Sequence, residues 1–412
     1  MAAPFFDCRA LGPELSFFGT VSLHGLSGIS SKIFQMVRQA GYRDLTINMA
    51  SVDGFNPSII PPLASLTTYY RQEYKVDFEI ILPKHGGARK RLLETGLAYH
   101  IDPQHFTKPK GNSTDPRVVR FRDSDEQHRA IDKILNSALR TLELPRPQLK
   151  AVEWALSEIT ENVIGHSNSK IGGFVLSSRV PRTNIVEIVV ADSGIGIARS
   201  LGMQNECEAL ERAIQEGVTR NTSTNQGNGL YGTCRLAQVS SGLFSIRSFH
   251  ASLYVDRNGE VKIHDEKVPY RGTYLVCQID CDREDLIKRA LVFDGHSHDP
   301  AFDYLEKMHE GNGDSVKITA YDICKTFGSR VSGSEARQYV KNMVRSYEGQ
   351  KIDISFKDVN IISSSFADEL FGKLFVELGP MRYMRTISLS ETCSEVEAIV
   401  DRAISQRSKS GL

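Results

Sequence analysis

In the stretch AVEWALSEITENVIGHS, Glu158, Asn162 and His166 recur every four residues, so on a helix their side chains line one stripe. Trp154, Leu156, Ile159, Val163 and Ile164 form the apolar side of that helix, which leaves a carboxylate and an amide on a face of their own. A carboxamide oxygen suits Mg²⁺, a hard cation that keeps most of its shell as water and phosphate oxygen. A carboxylate one turn earlier can orient or deprotonate a nucleophile. Thirty residues on, the strand-like run NIVEIVVADSGIGI ends in Asp192-Ser193-Gly194-Ile195-Gly196. Its glycines let the backbone approach a ligand, and its carboxylate can accept a hydrogen bond from an amino group such as that of adenine. Gly227, Asn228, Gly229 and Gly232 then precede a helix in QGNGLYGTCRLAQV, where backbone amides at a helix start can hold phosphate.

Each glycine signal is weak alone, and their order carries the information. An ExxxNxxxH helix, DxGxG after a strand, a polar lid from Leu201 to Gln226, GNGLYG opening a helix, and a hairpin ending in RGTYLVCQI together resemble the Bergerat-fold ATPases of the gyrase, Hsp90, histidine-kinase and MutL group. The resemblance spans about 150 residues, from about Arg129 to Cys281. It implies that Asn162 holds Mg²⁺ and Asp192 reads the adenine amino group, with Thr273 behind it. It further implies that Gly194 and Gly196 shape the base pocket, while Gly227, Asn228, Gly229 and Gly232 cradle phosphates. The wording SEITENVIGHS is similar to the corresponding helix of anti-sigma-factor serine kinases, which makes Glu158 the expected base and places His166 beside the phosphates.

Three segments must position these groups, and the expected class is α/β (α+β). Residues 1–110 alternate strands (Leu45 to Val52, Val76 to Leu82) with helices (Pro57 to Arg71, Ala88 to Gly96), a layered α/β unit. The Pro, Gly and Ser-rich stretch from Thr107 to Pro116 reads as a linker. Residues 117–285 form the expected nucleotide domain. Residues 312–412 again read strand, helix, strand, helix, ending in an amphipathic helix from Glu395 to Arg407. There IDISFKDVNIISSSFADELFGKLF resembles STAS-like domains, the fold of anti-anti-sigma factors. That likeness implies a phosphoacceptor among Ser363, Ser364 and Ser365, beside the competing use of Ser364, with Asp368 following, as a helix cap. LTINMASVDGFNP in the first segment has the same strand-turn-helix form, as if the ends were divergent copies. In that copy Asp53 stands where the serine belongs, leaving Ser51 or Ser58 as substitutes.

The bulk properties fix the setting. Fifty basic residues balance fifty acidic ones, so net charge gives nucleic-acid binding no support. No secretory leader and no apolar run near 20 residues is present, and seven scattered cysteines suit reduced thiols, so a cytoplasmic protein is expected. His128, on the helix-like stretch Ser124 to Pro145, is the only trace of a histidine-kinase hairpin, and Asp294, His296, His298 and Asp299 form a metal-capable loop read as a loop. The expectation is a Mg-ATP-binding regulator, ATPase or serine-kinase-like, whose nucleotide state controls STAS-like domain interactions, as a homodimer or with a STAS-like or ATPase-domain partner. A non-catalytic ATP-dependent switch is the alternative, a histidine-kinase-like sensor the third reading, and a degenerate scaffold is disfavoured by the intact motifs.

Overall fold

The computed structural model describes residues 5–109, 117–218, 228–293, 295–300, 304 and 315–410, and the fold is mixed α/β. Two compact units emerge, one made of Met1–Ile134 with Trp154–Asp299, the other of Leu135–Glu153 with Pro300–Leu412.

The first unit opens with a hairpin, β1 (Phe6–Leu11) and β2 (Glu14–Val21), and continues through α1 (Leu23–Phe34), β3 (Asp44–Phe55), α2 (Ile60–Tyr74), β4 (Asp77–Ile81), α3 (Gly86–Glu94) and α4 (Leu97–Ile101). The hairpin and α1 lie before the first strand read from the sequence. The sheet order is β1-β2-β3-β4, with β2, β3 and β4 mutually parallel. In β3 the alternation Leu45, Ile47, Met49 slips one place and resumes at Val52, opposite a register shift against β2. Helix α2 carries Pro61 and Pro62 in its first turn, where no amide partner is lost, and stops at Lys75 in the left-handed region. Because β2, β3 and β4 run in sequence order, right-handed crossovers put α1 and α2 on the same face.

That face packs on a second sheet. It comprises β5 (Val119–Phe121), β6 (Gly173–Arg179), β7 (Ile185–Asp192), β8 (Phe244–Val255) and β9 (Val261–Asp280), antiparallel in the order β5-β6-β7-β9-β8. Between its strands come α5 (Ser124–Thr141), α6 (Arg146–His166), α7 (Ile197–Ser200), α8 (Glu206–Ala213) and α9 (Gly229–Val239), with α10 (Leu286–Ala290) and the short antiparallel pair β10 (Val292–Phe293) and β11 (His296–Ser297) after β9. Every residue of β7 is buried, as its largely apolar run, interrupted only by Glu187 before Asp192, requires of a strand covered on both faces. Val189 and Ala191 join Tyr274 and Val276 in one hydrophobic core with Ile47, Ile59, Leu63 and Leu66 of the first sheet and its helices. The alternate residues, Val190 and Leu275, face the other way. Polar contacts pin the junction: Ser58 Oγ lies 2.7 Å from Glu187 Oε1, and the Ser65 and Ser193 hydroxyls are 2.8 Å apart.

In the second unit β12 (Ser315–Thr319), β13 (Lys351–Ser355) and β14 (Ile387–Ser390) form a parallel sheet in sequence order, with helices Arg330–Ser346, Ser364–Ala367 running on to Leu378, Pro380–Thr386 and Ser394–Ser410. Residues 135–153 belong to this unit, beyond the boundary of 312 read from the sequence. Asn342, fully buried, holds them: its Nδ2 donates to the Leu139 and Leu142 carbonyls, and its Oδ1 accepts from the Leu144 amide. Among the described residues no helix is long and apolar enough to cross a membrane.

Candidate functional site

A cavity opens on the face of the second sheet turned away from α1 and α2. It contains about 940 Å³ of empty space, part of it open to solvent. Glu158, Asn162 and His166 line it from α6, Asp192 from the end of β7, Gly196 from the following turn, Gly229 from the start of α9 and Thr273 from β9. Residues from four remote stretches of sequence thus converge. Ile159, Val163, Val190, Ile246, Leu275 and Leu230 supply apolar walls, the setting that a planar base requires.

The polar groups are held from beneath. Asp192 Oδ1 accepts the Gly194 amide at 2.7 Å, and the Thr273 backbone also donates to this carboxylate. Burial nevertheless dominates and pushes the Asp192 carboxyl up to about 7. Gly194 does not line the cavity: a Cβ there would overlap the Ser167 carbonyl, which accepts the Ile195 amide at 2.8 Å. Close packing of this turn on the end of α6 is what requires glycine. Gly196 has φ 78°, a left-handed value that turns the chain into α7. Ser248, which no sequence pattern distinguishes within β8, joins two parts of the site, since its Oγ accepts from the Ile197 amide at 2.9 Å and from Thr273 Oγ1 at 3.2 Å.

Glu158 is half-buried, and its carboxyl is raised to about 7 by burial and then by the neighbouring charge of Glu161. Its Oε2 sits against the amino end of α9, where a Cβ on Gly229 would overlap it. The half-buried Asn162 carboxamide makes no hydrogen bond to another described residue, so its oxygen is available inside the cavity. Asn228 caps the opening of α9: its Oδ1 accepts the Gly217 amide at 2.9 Å and its carbonyl the Gly232 amide at 2.7 Å. Gly232 faces Trp154, whose ring a Cβ would overlap, so it serves the packing of α9 on α6. Gly227 and the end of the lid, residues 219–226, lie outside the described residues.

In the second unit, the cap of the helix at Ser364 is Ser363, not Ser364: its Oγ accepts the Phe366 amide at 3.1 Å and lies 3.0 Å from Ser365 Oγ. Ser364 is exposed. Asp368, read as a capping partner, is instead held by two hydrogen bonds from Arg407, at 2.7 and 2.8 Å. In the first unit Asp53 lies inside β3 and accepts from Thr20 Oγ1, while the turn into α2 is made by Asn56 to Ser58. Ser51 is exposed on β3. His128 is exposed, with Nδ1 2.6 Å from the Ser124 carbonyl. Asp294 lies outside the described residues; among those described, no three His, Cys, Asp or Glu side chains converge as a metal site. All seven cysteines are free.

Residues 335–393 match the model of a STAS-like domain of unknown function. The match runs from inside the helix Arg330–Ser346 to just past β14 and includes the Ser363–Ser365 turn. Comparison with curated proteins finds no match.

Proposed function

We propose that the first unit binds Mg-ATP in the cavity under β7 and β9 and that the bound state governs the STAS-like unit, through phosphoryl transfer to serine or through ATP turnover. The observation that carries this reading is the convergence of Glu158, Asn162, Asp192, Gly229 and Thr273 on one cavity with apolar walls. The donor set fits the cation: one carboxamide oxygen without a partner among the described residues, beside a helix start, leaves the remaining positions to water and phosphate. Mg²⁺ held at Asn162 would supply positive charge to the phosphate oxygens. The Asp192 carboxylate accepts the adenine amino group, and Thr273 and Ser248 fix the wall beside it. The amides that open α9 face the phosphates. Glu158 removes a proton from the attacking hydroxyl or water, and a carboxyl near 7 is matched to that task at neutral pH. Little covalent chemistry is then left for the protein beyond positioning.

An ATP switch without turnover is the second reading, favoured by how closely this pocket adjoins the first segment: Ser193, directly after Asp192, touches Ser65 of α2. One experiment separates the readings. The protein is incubated with Mg²⁺ and γ-labelled ATP, reading phosphate released and label retained, beside Asn162→Ala and Glu158→Ala. Binding is followed through Trp154, the single tryptophan, which packs against α9. Label on Ser363, Ser364 or Ser365 makes the protein a serine kinase. Released phosphate alone makes it an ATPase, and ATP-dependent behaviour that survives Glu158→Ala makes it a switch. If ATP causes no fluorescence change and no heat of binding, the reading is wrong.

A further inference from the structure

On the other side of the first unit lies a second cavity, with about 620 Å³ of empty space, part of it open to solvent, that the nucleotide reading does not use. Its wall carries Arg71 from α2, Lys108, Arg120 from β5, and Arg122, with Glu126 of α5 as the sole carboxylate among the lining residues. Glu126 is committed, because it holds Arg122 through two hydrogen bonds, at 2.6 and 3.1 Å. Arg71, Lys108 and Arg120 form no direct ion pair with any described carboxylate; Asp77 and Asp102 act on Arg71, and Glu126 on Arg120, only from a distance. Arg71 and Arg120 are each more than half withdrawn from water and oppose each other's charge. Arg71 donates from Nη1 to the carbonyls of His100 and Ile101, at 2.8 and 3.0 Å, and from Nη2 to Thr68 Oγ1 at 3.4 Å, and Arg120 donates from Nε to the Ile171 carbonyl at 2.9 Å. Each arginine is therefore aimed, and terminal N–H groups remain for the cavity. His100, in the same wall, has its ring driven down to about 3 by burial and by Lys108, Arg120 and Arg71, which places a positive potential inside.

Partly buried like charges cost stability unless something neutralises them. A buried arginine serving structure alone would be matched by a carboxylate, as Arg247 is by Glu266 at 3.4 Å. A lone carboxylate would offset one of the three free charges, whereas a phosphate monoester carries close to two and presents oxygens to guanidinium groups arriving from different elements.

We propose that this cavity is a binding site for the phosphate group of a small phosphorylated ligand, held by Arg71, Arg120 and Lys108. The site sits at the edge of the sheet that carries the nucleotide cavity, at β5, yet shares no residue with that cavity.

The test is isothermal titration of the full chain with inorganic phosphate and with pyrophosphate, against potassium acetate and KCl at matched ionic strength. Saturable binding of one equivalent is expected for phosphate or pyrophosphate, and none for acetate or KCl. Arg120→Gln should weaken it at least tenfold, and Asn162→Ala should leave it unchanged. The ligand-free melting temperature of Arg120→Gln is expected to hold or rise, since a repelling charge is removed; a purely structural arginine would lower it. If Arg120→Gln fails to fold, the exposed Lys108→Ala must itself weaken binding several-fold. No saturable heat, binding indifferent to both cavity variants, or binding lost in Asn162→Ala would each overturn the proposal. Tighter binding of pyrophosphate than of phosphate would point to a polyphosphate source, and the reverse to a monoester.

Discussion

The chain contains the same strand-helix-strand-helix-strand arrangement twice and uses it in opposite ways. β2, β3 and β4 are parallel and in sequence order, as are β12, β13 and β14, and each set carries its crossover helices on one face. In the first copy the turn after the middle strand is closed. Ser58 is buried against Glu187 of the neighbouring sheet, and α2 buries ten of its fifteen residues. In the second copy the matching turn is open: Ser364 is exposed, Ile361 is 72% exposed, and Met381 and Met384 are each 69% exposed. The lesson is that topology does not decide whether a strand-to-helix turn is a site. A turn that has become part of another sheet's core is structure, whereas one that keeps a serine in solvent, as Ser364 is, stays within reach of a partner.

The largest effect that sharpens this contrast concerns phosphoryl transfer. With γ-labelled ATP, label is expected at the Ser363–Ser365 turn and not at Ser58, and Glu158→Gln should cut its rate by roughly 10²–10⁴; mass spectrometry of the digested protein locates it, and label on Ser58 would break the comparison. Next comes the effect of a charge at each turn. Ser58→Glu places a carboxylate against buried Glu187 and should destabilise the first unit by about 3–5 kcal/mol. Ser364→Glu adds an acid to an exposed first helical turn, where a change of about 0.3–1 kcal/mol toward greater stability is expected. Urea melts of both variants decide it.

The two units should also respond oppositely to pH. In the first, Glu158 and Asp192 have folded-state carboxyls raised to about 7, so the folded form keeps protons that the unfolded form has lost. Stability contributed by these groups is present below the ordinary values of 4.5 and 3.8 and is lost as pH rises through about 7. Each contributes a slope of at most about 1.4 kcal/mol per pH unit in that window. In the second, Asp368 is lowered by its hydrogen bonds from Arg407, and Glu369 is lowered despite burial by Lys373 and Arg330. Their contribution is present above the ordinary carboxylate values and is lost on acidification through the lowered ones. Melts from pH 3 to pH 8, about the range of these transitions, should show the Glu158 and Asp192 contribution fading as pH rises and the Asp368 and Glu369 contribution fading as it falls, the latter offset in part by Glu335 of the same unit, whose carboxyl burial raises. The smallest effect is a paired methylene deletion: Ile59→Val, at a fully buried site, should cost about 1 kcal/mol, and Ile361→Val close to nothing.

Much of this was readable in the residues. The largely apolar run of β7 announced a buried strand, the spacing of Glu158, Asn162 and His166 put them on one stripe, and the strands and helices of the last hundred residues lie within a few positions of the sequence reading. The β1–β2 hairpin and α1 were not legible, because FDCRALGPELSFFG mixes polar and apolar residues without a clean period of two. Ser248 and Asn342 gave no signal either, since a serine in a strand and an asparagine in a helix matter only through what folds against them.

The sequence by itself determined the local frame: helix faces, the glycines that must turn or pack closely, and which stretches carry chemistry, because these follow from periodicity and backbone sterics over a few residues. The tertiary structure alone decided that Asp192, Thr273 and Glu158 share a cavity, that Ser58 is sealed while Ser364 is not, and that Arg71, Lys108 and Arg120 face one space. Those facts depend on burial and on the convergence of segments tens to hundreds of residues apart, which no local pattern records.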